Sequence, residues 1–337
     1  MKRISFLGAG SWGTALAVML AKHGHQVILW SKVKEEVSML QEYREHKDRL
    51  PGVKLPELVE VTDDLEKACD APDLVVFSVA SPFVRSTARE ASPLIGEGQK
   101  IVNVAKGIEE ASLKTLRDIL LEEIPQADVS VLSGPSHAEE VAVDMPTTVV
   151  VGSAGKETAI FIQEIFMNDN FRVYISPDII GIELGGSVKN VIALAAGICD
   201  GLGYGDNTKA ALITRGVAEI TRLGTAMGAS METMGGLSGI GDLIVTCTSE
   251  HSRNHNAGAL IGKGYSLEQA LQEVKQVVEG VYSAKAVKKL SEKYQVSMPI
   301  VEQTCKVLFE GVTAQEAVHA LFTRDRCKEY PDLGWKK

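Results

Sequence analysis

The chain has 337 residues, 44 of them acidic and 35 basic, which gives a formal charge of −9 and a pI near 5.4. That balance excludes a generic basic nucleic-acid binder. With 45% hydrophobic and 23% charged residues the composition is that of an ordinary folded protein, and at roughly 150 residues per domain the length predicts two domains. The longest apolar run, residues 191–199, has nine residues, against the ~18 that span a bilayer, so no stable membrane insertion is expected. Cysteines at 69, 199, 247, 305 and 327 form no CxxC or Cys/His cluster, which argues against zinc and for a reducing, cytoplasmic setting.

The first thirty residues change period as a strand, a helix and a second strand should. Residues 4–7 form a short apolar strand, 12–23 have helical spacing, Gly24 suits a helix C-terminus, and 26–30 form the next strand. Lys2 and Arg3 before an apolar stretch imitate a secretory leader, but Gly8, Gly10 and Gly13, with Ser5, Ser11 and Thr14, interrupt it. Further strands are expected at 74–79, 101–104, 129–132, 149–151 and 172–175, with helices between them such as 113–121 and 158–166. Strands alternating with helices imply an α/β, doubly wound, mainly parallel sheet. Beyond residue 181 the strand period stops. Residues 182–199, 208–227, 284–294 and 301–309 read as helices, and Ser266 with Gln269 and Thr313 with Glu316 make capping-box starts. The expected layout is a dinucleotide-binding domain over 1–181 and an all-helical substrate domain over 182–337.

Gly8-Ala9-Gly10-Ser11-Trp12-Gly13 is a GxGxxG that follows a strand, opens a helix and leads to a second strand. In that setting Gly8 permits the tight turn, Gly10 lets backbone approach a pyrophosphate, and Gly13 allows close helix packing. NAD-selective sites place a carboxylate at the end of the second strand; here Ser31, Lys32, Val33 and Lys34 stand there. The missing acid and the lysines favour NADP(H) without excluding NAD(H), and the lysines equally suit a solvated helix start.

Lys189 is the one charge in residues 184–199, and its same-face neighbours Gly185, Gly186, Ile192, Ala193 and Ala196 are mostly small. A ligand can approach such a lysine, and desolvation would tune it for proton transfer; the alternative is a lysine that reaches to solvent from a buried helix. Residues 239–246 (GIGDLIVT) and then Ser252-Arg253-Asn254 make a second constellation, with Arg253 at a helix start suited to a phosphate or, equally, to a surface ion pair. Lys106 and the segment 133–137 (SGPSH) end strands, where open α/β sheets bind ligands; His137 itself reads as a helix cap. Cys199 and Cys247 have no histidine partner in sequence and read as core thiols.

The chain resembles, over nearly its whole length, the bacterial-type NAD(P)-dependent glycerol-3-phosphate dehydrogenases. The resemblance rests on residues 8–17 (GAGSWGTALA), 105–109 (AKGIE), 132–141 (LSGPSHAEEV), 188–190 (VKN), 195–216, 239–249, 251–254 (HSRN) and 277–281 (VVEGV). It implies a Rossmann domain with a helical domain, a homodimer, and reduction of dihydroxyacetone phosphate to sn-glycerol 3-phosphate by NADPH or NADH for phospholipid synthesis. It makes Lys189 the proton donor or acceptor at the C2 oxygen. Lys106, Gly134, Ser136, Asp242, Ser252, Arg253 and Asn254 would meet substrate; Ser11, Trp12, Lys32, Lys106, Ala138, Arg253, Val277 and Glu279 would meet cofactor. The family commonly has His or Arg where this chain has Ser31-Lys32-Val33. A 3-hydroxyacid or 6-phosphogluconate-type dehydrogenase would share the layout but needs a substrate carboxylate. A dinucleotide sensor without turnover would have no use for Lys106, Lys189 and Asp242 together.

Overall fold

The computed structural model describes residues 1–326, 328 and 329, so Cys327 and the end of the expected helical domain lie outside the described residues. Ten strands occur among them: β1 (Arg3–Leu7), β2 (Gln26–Trp30), β3 (Glu45–His46), β4 (Leu50–Lys54), β5 (Val59–Thr62), β6 (Leu74–Phe77), β7 (Lys100–Asn103), β8 (Asp128–Ser133), β9 (Thr147–Gly152) and β10 (Phe171–Ser176). Eight form one sheet in the order β10-β9-β8-β7-β6-β1-β2-β5, while β3 and β4 make a separate hairpin. The central strands are buried on both faces, which is why they read as continuous apolar runs rather than alternating ones. One apolar cluster covers each face of the sheet.

Every neighbouring pair is parallel except β8 and β9. The connection from Ser133 stays at the carboxyl end of β8 and holds only the short helix Ala138–Ala142, so β9 starts at that end and runs back. The helix expected at 113–121 begins later, as Leu116–Glu123, because Thr115 caps it at 3.3 Å through Asp118 N and Leu113 is left-handed at φ 59°. Both capping boxes form.

After Ser176 the described elements are helical, beginning with Ile179–Gly201, capped by Asp178 through Gly181 N at 3.0 Å. By length and composition this helix could cross a membrane, with a mean hydropathy of 1.5, but 89% of its most apolar window is buried inside the protein. It is the axis of the helical core. The helix Arg253–Gly262 crosses it glycine against glycine. A Cβ on Gly197 would lie 2.0 Å from His255 O, and one on Gly258 would lie 2.1 Å from Leu194 O. Backbones in that contact leave no volume for a methyl group.

Alanine is the better helix former by ~1 kcal/mol, yet Gly258→Ala should lower stability by about 1–3 kcal/mol, because the crossing must open. Gly96→Ala, where nothing lies within 4 Å, should leave stability unchanged or slightly raised. Urea unfolding of the two variants tests this; equal midpoints would show that the crossing is loose.

Candidate functional site

The first turn after β1 makes the dinucleotide cradle. Gly8 has φ 122°, and a Cβ there would lie 2.5 Å from Val79 N; one on Gly13 would lie 2.4 Å from Gly8 O. Ser78 Oγ donates to Gly8 O at 2.7 Å, fastening the turn to the end of β6, where the strand order reverses. Gly10 caps the helix Ser11–Lys22 without a side chain, so the first-turn N–H groups of Ser11, Trp12 and Gly13 keep an open face. A Cβ on Gly10 would meet only Arg49 Nη1, at 3.9 Å. This cradle fits a pyrophosphate at a helix N-terminus. Trp12 packs on the cluster of Ala15, Leu50, Ala138 and Ala142, which brings Ala138 to the same turn.

At the end of β2, Ser31 is buried and donates to Glu36 Oε2, whereas Lys32 points outward into an ion pair with Glu90 at 2.6 Å. Val277 and Glu279 stand at the start of the helix Glu279–Lys293. Glu279, first residue of the helix Glu279–Lys293, accepts from Ser81 Oγ and from Ser81 N at 3.3 Å. Burial pushes its carboxyl up, against those hydrogen bonds and the nearby charge of Arg253.

The centre of the site is Asp242, buried and first in the helix Asp242–Thr248. One carboxylate oxygen accepts from Lys189 Nζ; the other accepts from Lys106 Nζ at 2.7 Å. Lys106 also donates to Gly134 O at 3.0 Å, and Lys189 to Thr246 Oγ1 at 2.7 Å. Thr246 Oγ1 in turn donates to Asp242 O at 2.6 Å. Lys189 therefore does not reach to solvent. Only 5% of it is exposed, and its pKa is lowered to about 7. Burial is the main cause, the Lys106 charge adds to it, and Asp242 opposes both. The small face seen in sequence explains the closeness of these groups. A Cβ on Gly185 would lie 2.5 Å from Ser238 O, in the widened π-type turn Leu237–Gly241 that feeds Asp242, and one on Gly186 would lie 2.8 Å from Ser133 Oγ.

Gly134 and Ser136 stand beside Lys106, with Ser136 Oγ donating to Gly134 O at 2.9 Å. Ser252 caps the helix Arg253–Gly262 through His255 N at 3.2 Å. Arg253 opens that helix, and among the described residues its guanidinium has no hydrogen-bond or ion-pair partner, unlike a surface ion-pair arginine. Asn254 is buried, donates to Asn190 Oδ1 at 3.0 Å and accepts from Gly280 N at 2.8 Å, so it ties three helices. His137 occupies a cap position but its side chain makes no cap. Its ring lies 5.7 Å from that of His251, and burial, with the charge of Lys189, lowers its pKa. Burial pushes the Cys199 thiol up to about 11 and Cys247 to about 12, so both are inert core thiols. Thr246, Asn190 and Ser81 carry no role in the sequence reading; Thr246 had a signal, lying four residues after Asp242 on one helix face.

Two family models match the chain: the N-terminal part of NAD-dependent glycerol-3-phosphate dehydrogenase over residues 3–159 and its C-terminal part over 178–319. The chain belongs to this family. It is 59% identical to the glycerol-3-phosphate dehydrogenase, NAD(P)+, of Agathobacter rectalis over 336 residues, covering 100% of both chains. To the protein of that name from Fusobacterium nucleatum it is 54% identical, over 97% of this chain and 98% of the other. The crystal structure of glycerol-3-phosphate dehydrogenase from Coxiella burnetii superposes with a TM-score of 0.93 at 38% identity, over 96% of this chain and 99% of that one. The Rossmann sheet and helical region of this family are the architecture observed here.

Lysine Nζ NMR should show one amine titrating near 7, absent in Lys189→Met. Because Asp242 raises this pKa, Asp242→Asn should move it further down. An upward move would mean that Asp242 does not govern Lys189.

Proposed function

We propose that this chain reduces dihydroxyacetone phosphate reversibly to sn-glycerol 3-phosphate with NADPH or NADH. The observation that carries this reading is the sharing of Asp242 by Lys106 and Lys189, at the carboxyl end of the sheet.

The Gly8–Gly13 turn would hold the pyrophosphate of the dinucleotide, which when bound would supply the hydride for the carbonyl carbon. Lys189, as the ammonium, gives its proton to the carbonyl oxygen, so that C=O becomes CH–OH and Lys189 is left as the neutral amine. A pKa near 7 suits both directions, since each form is well populated at neutral pH. Asp242 fixes the direction of the ammonium. Lys106 lies between the substrate side and the cofactor side and adds positive charge, which stabilises the oxygen as electrons gather on it. Arg253 supplies paired donors for the phosphate, at a helix N-terminus that favours an anion, with Ser252 and Asn254 holding that end in place. Gly134 and Ser136 line the wall of the substrate space, and Glu279 with Val277 closes the nicotinamide side. The same reading makes the protein a cytoplasmic homodimer that supplies glycerol phosphate for phospholipid synthesis.

Absorbance at 340 nm with dihydroxyacetone phosphate and NADPH tests the activity directly. Lys189→Met, which keeps length and removes the proton, should cost on the order of 10²- to 10⁴-fold in kcat while NADPH binding survives. In the intact enzyme kcat/KM for ketone reduction should fall as pH rises through about 7, as the ammonium is lost, and alcohol oxidation should rise there. Near-normal turnover by Lys189→Met would remove the role.

Arg253→Ala should raise KM for dihydroxyacetone phosphate far more than for unphosphorylated dihydroxyacetone, since only the former presents a dianion to the guanidinium. Steady-state kinetics on both substrates decides it. Equal losses would contradict phosphate recognition.

A further inference from the structure

The two side chains at the end of β2 are both engaged within the protein. Lys32 is paired outward with Glu90, its side chain 68% exposed, and Ser31 turns inward. A cation does reach the glycine turn, from the link between β3 and β4. Leu50, 1% exposed, anchors this hairpin in the cluster with Ala15, Ala138 and Ala142 beside Trp12, so the preceding residue, Arg49, is held over the cradle. Arg49 Nη1 lies 3.9 Å from the place a Cβ on Gly10 would take.

A buried carboxylate fixes that arginine. Glu36, 8% exposed and in the first turn of the helix Lys34–Tyr43, takes Arg49 Nη1 at 3.0 Å and His46 Nε2 at 3.0 Å on one oxygen and Ser31 Oγ on the other. Burial would raise this carboxyl, but the bonds from His46 and Ser31 and the Arg49 charge outweigh it and hold it below the usual range. Gly10, Arg49, Glu36 and Ser31 thus form a continuous rim from the phosphate turn to the end of β2, which is where a Rossmann site holds the adenosine ribose. The acid able to accept a ribose 2′-hydroxyl is present, but its oxygens are already taken from within. What the rim turns outward is a guanidinium, 44% exposed, with Glu36 its only ion pair among the described residues.

We propose that Arg49 binds the adenosine 2′-phosphate of NADPH and that Glu36 is the positioning residue that aims it, so that the hairpin, rather than the end of β2, selects NADP(H). This rests on the dinucleotide reading above. Free NADP+ and NAD+ differ only in this phosphate, and so do adenosine 2′,5′-bisphosphate and AMP, which gives the test two matched pairs.

Calorimetric titration of the intact protein with all four ligands, at fixed ionic strength, reads the effect without turnover. Arg49→Gln should weaken NADP+ and the bisphosphate by at least about tenfold, as the loss of a charge-assisted contact does, and leave NAD+ and AMP within about twofold. Arg49→Lys should restore part of the difference, because the charge returns without the paired donors. Glu36→Gln, near-isosteric, should narrow the NADP+ to NAD+ ratio with NAD+ unmoved; a purely structural role would shift both. Lys32→Ala should change the ratio by less than about threefold, as an exposed cation does. The proposal is overturned if Arg49→Gln leaves the ratio unchanged, weakens both members of each pair equally, or if Lys32→Ala has the larger effect. Loss of discrimination at Arg49 is read by binding alone, which separates it from the activity itself; failure of the unmodified protein to bind either dinucleotide would instead sink the dinucleotide reading.

Discussion

One carboxylate, on Asp242, holds two ammonium groups that reach it from different parts of the chain: Lys106 from the end of β7 and Lys189 from the core helix. Burying three charges together is expensive, and the arrangement persists only because each partner is also hydrogen-bonded, Lys106 to Gly134 O and Lys189 to Thr246. Removing the acid would leave two cations facing each other out of water. The rest of the site follows from satisfying this group. The π-type turn aims Asp242, the glycines at 185 and 186 let that turn and the β8 loop come close, and Thr246 completes the ring of donors.

The positive excess that results has a chemical use. Two lysines share a single acid, and that local excess of positive charge suits charge developing on a carbonyl oxygen. The protein as a whole is strongly acidic, with a formal charge of −9. Any attraction for an anion is therefore local, set by the cations at Asp242 and the helix N-terminus at Arg253 rather than by the field of the whole surface.

Much of this was legible in the sequence because the physics leaves short-range marks. A glycine turn between strand and helix needs those glycines. A lone lysine on a helix face of small residues stands out because burial of a charge is rare, and the structure places it among the partners that make burial tolerable. Arg253 was visible by type and position at a helix start. The hairpin was not legible, since β3 has two residues and no period can be read from two. The edge strand β5, with four residues of alternating character, was equally faint. Lys32 shows what a sequence position leaves open: its place in the chain suggested a ligand, and its long side chain here pairs with Glu90. The late start of the helix at Leu116 turned on a single cap and one left-handed residue, which periodicity cannot register.

The glycine crossing of the two central helices divides the molecule mechanically. Backbone resting on backbone can neither slide nor repack, so the helices bearing Lys189 and Arg253 act as one stiff piece. The links from the sheet to that piece are mixed: Val131 and Val150 pack on Ile182, while Lys106 to Asp242, Ser81 to Glu279 and an exposed ion pair of Lys289 with Glu110 at 3.1 Å are polar. Polar links can be exchanged for water one at a time, whereas the crossing yields only as a whole. The seam between sheet and helices therefore combines an apolar patch that keeps the two in register with polar links that salt should weaken first, while the crossing fixes the spacing of the helices that carry Lys189 and Arg253.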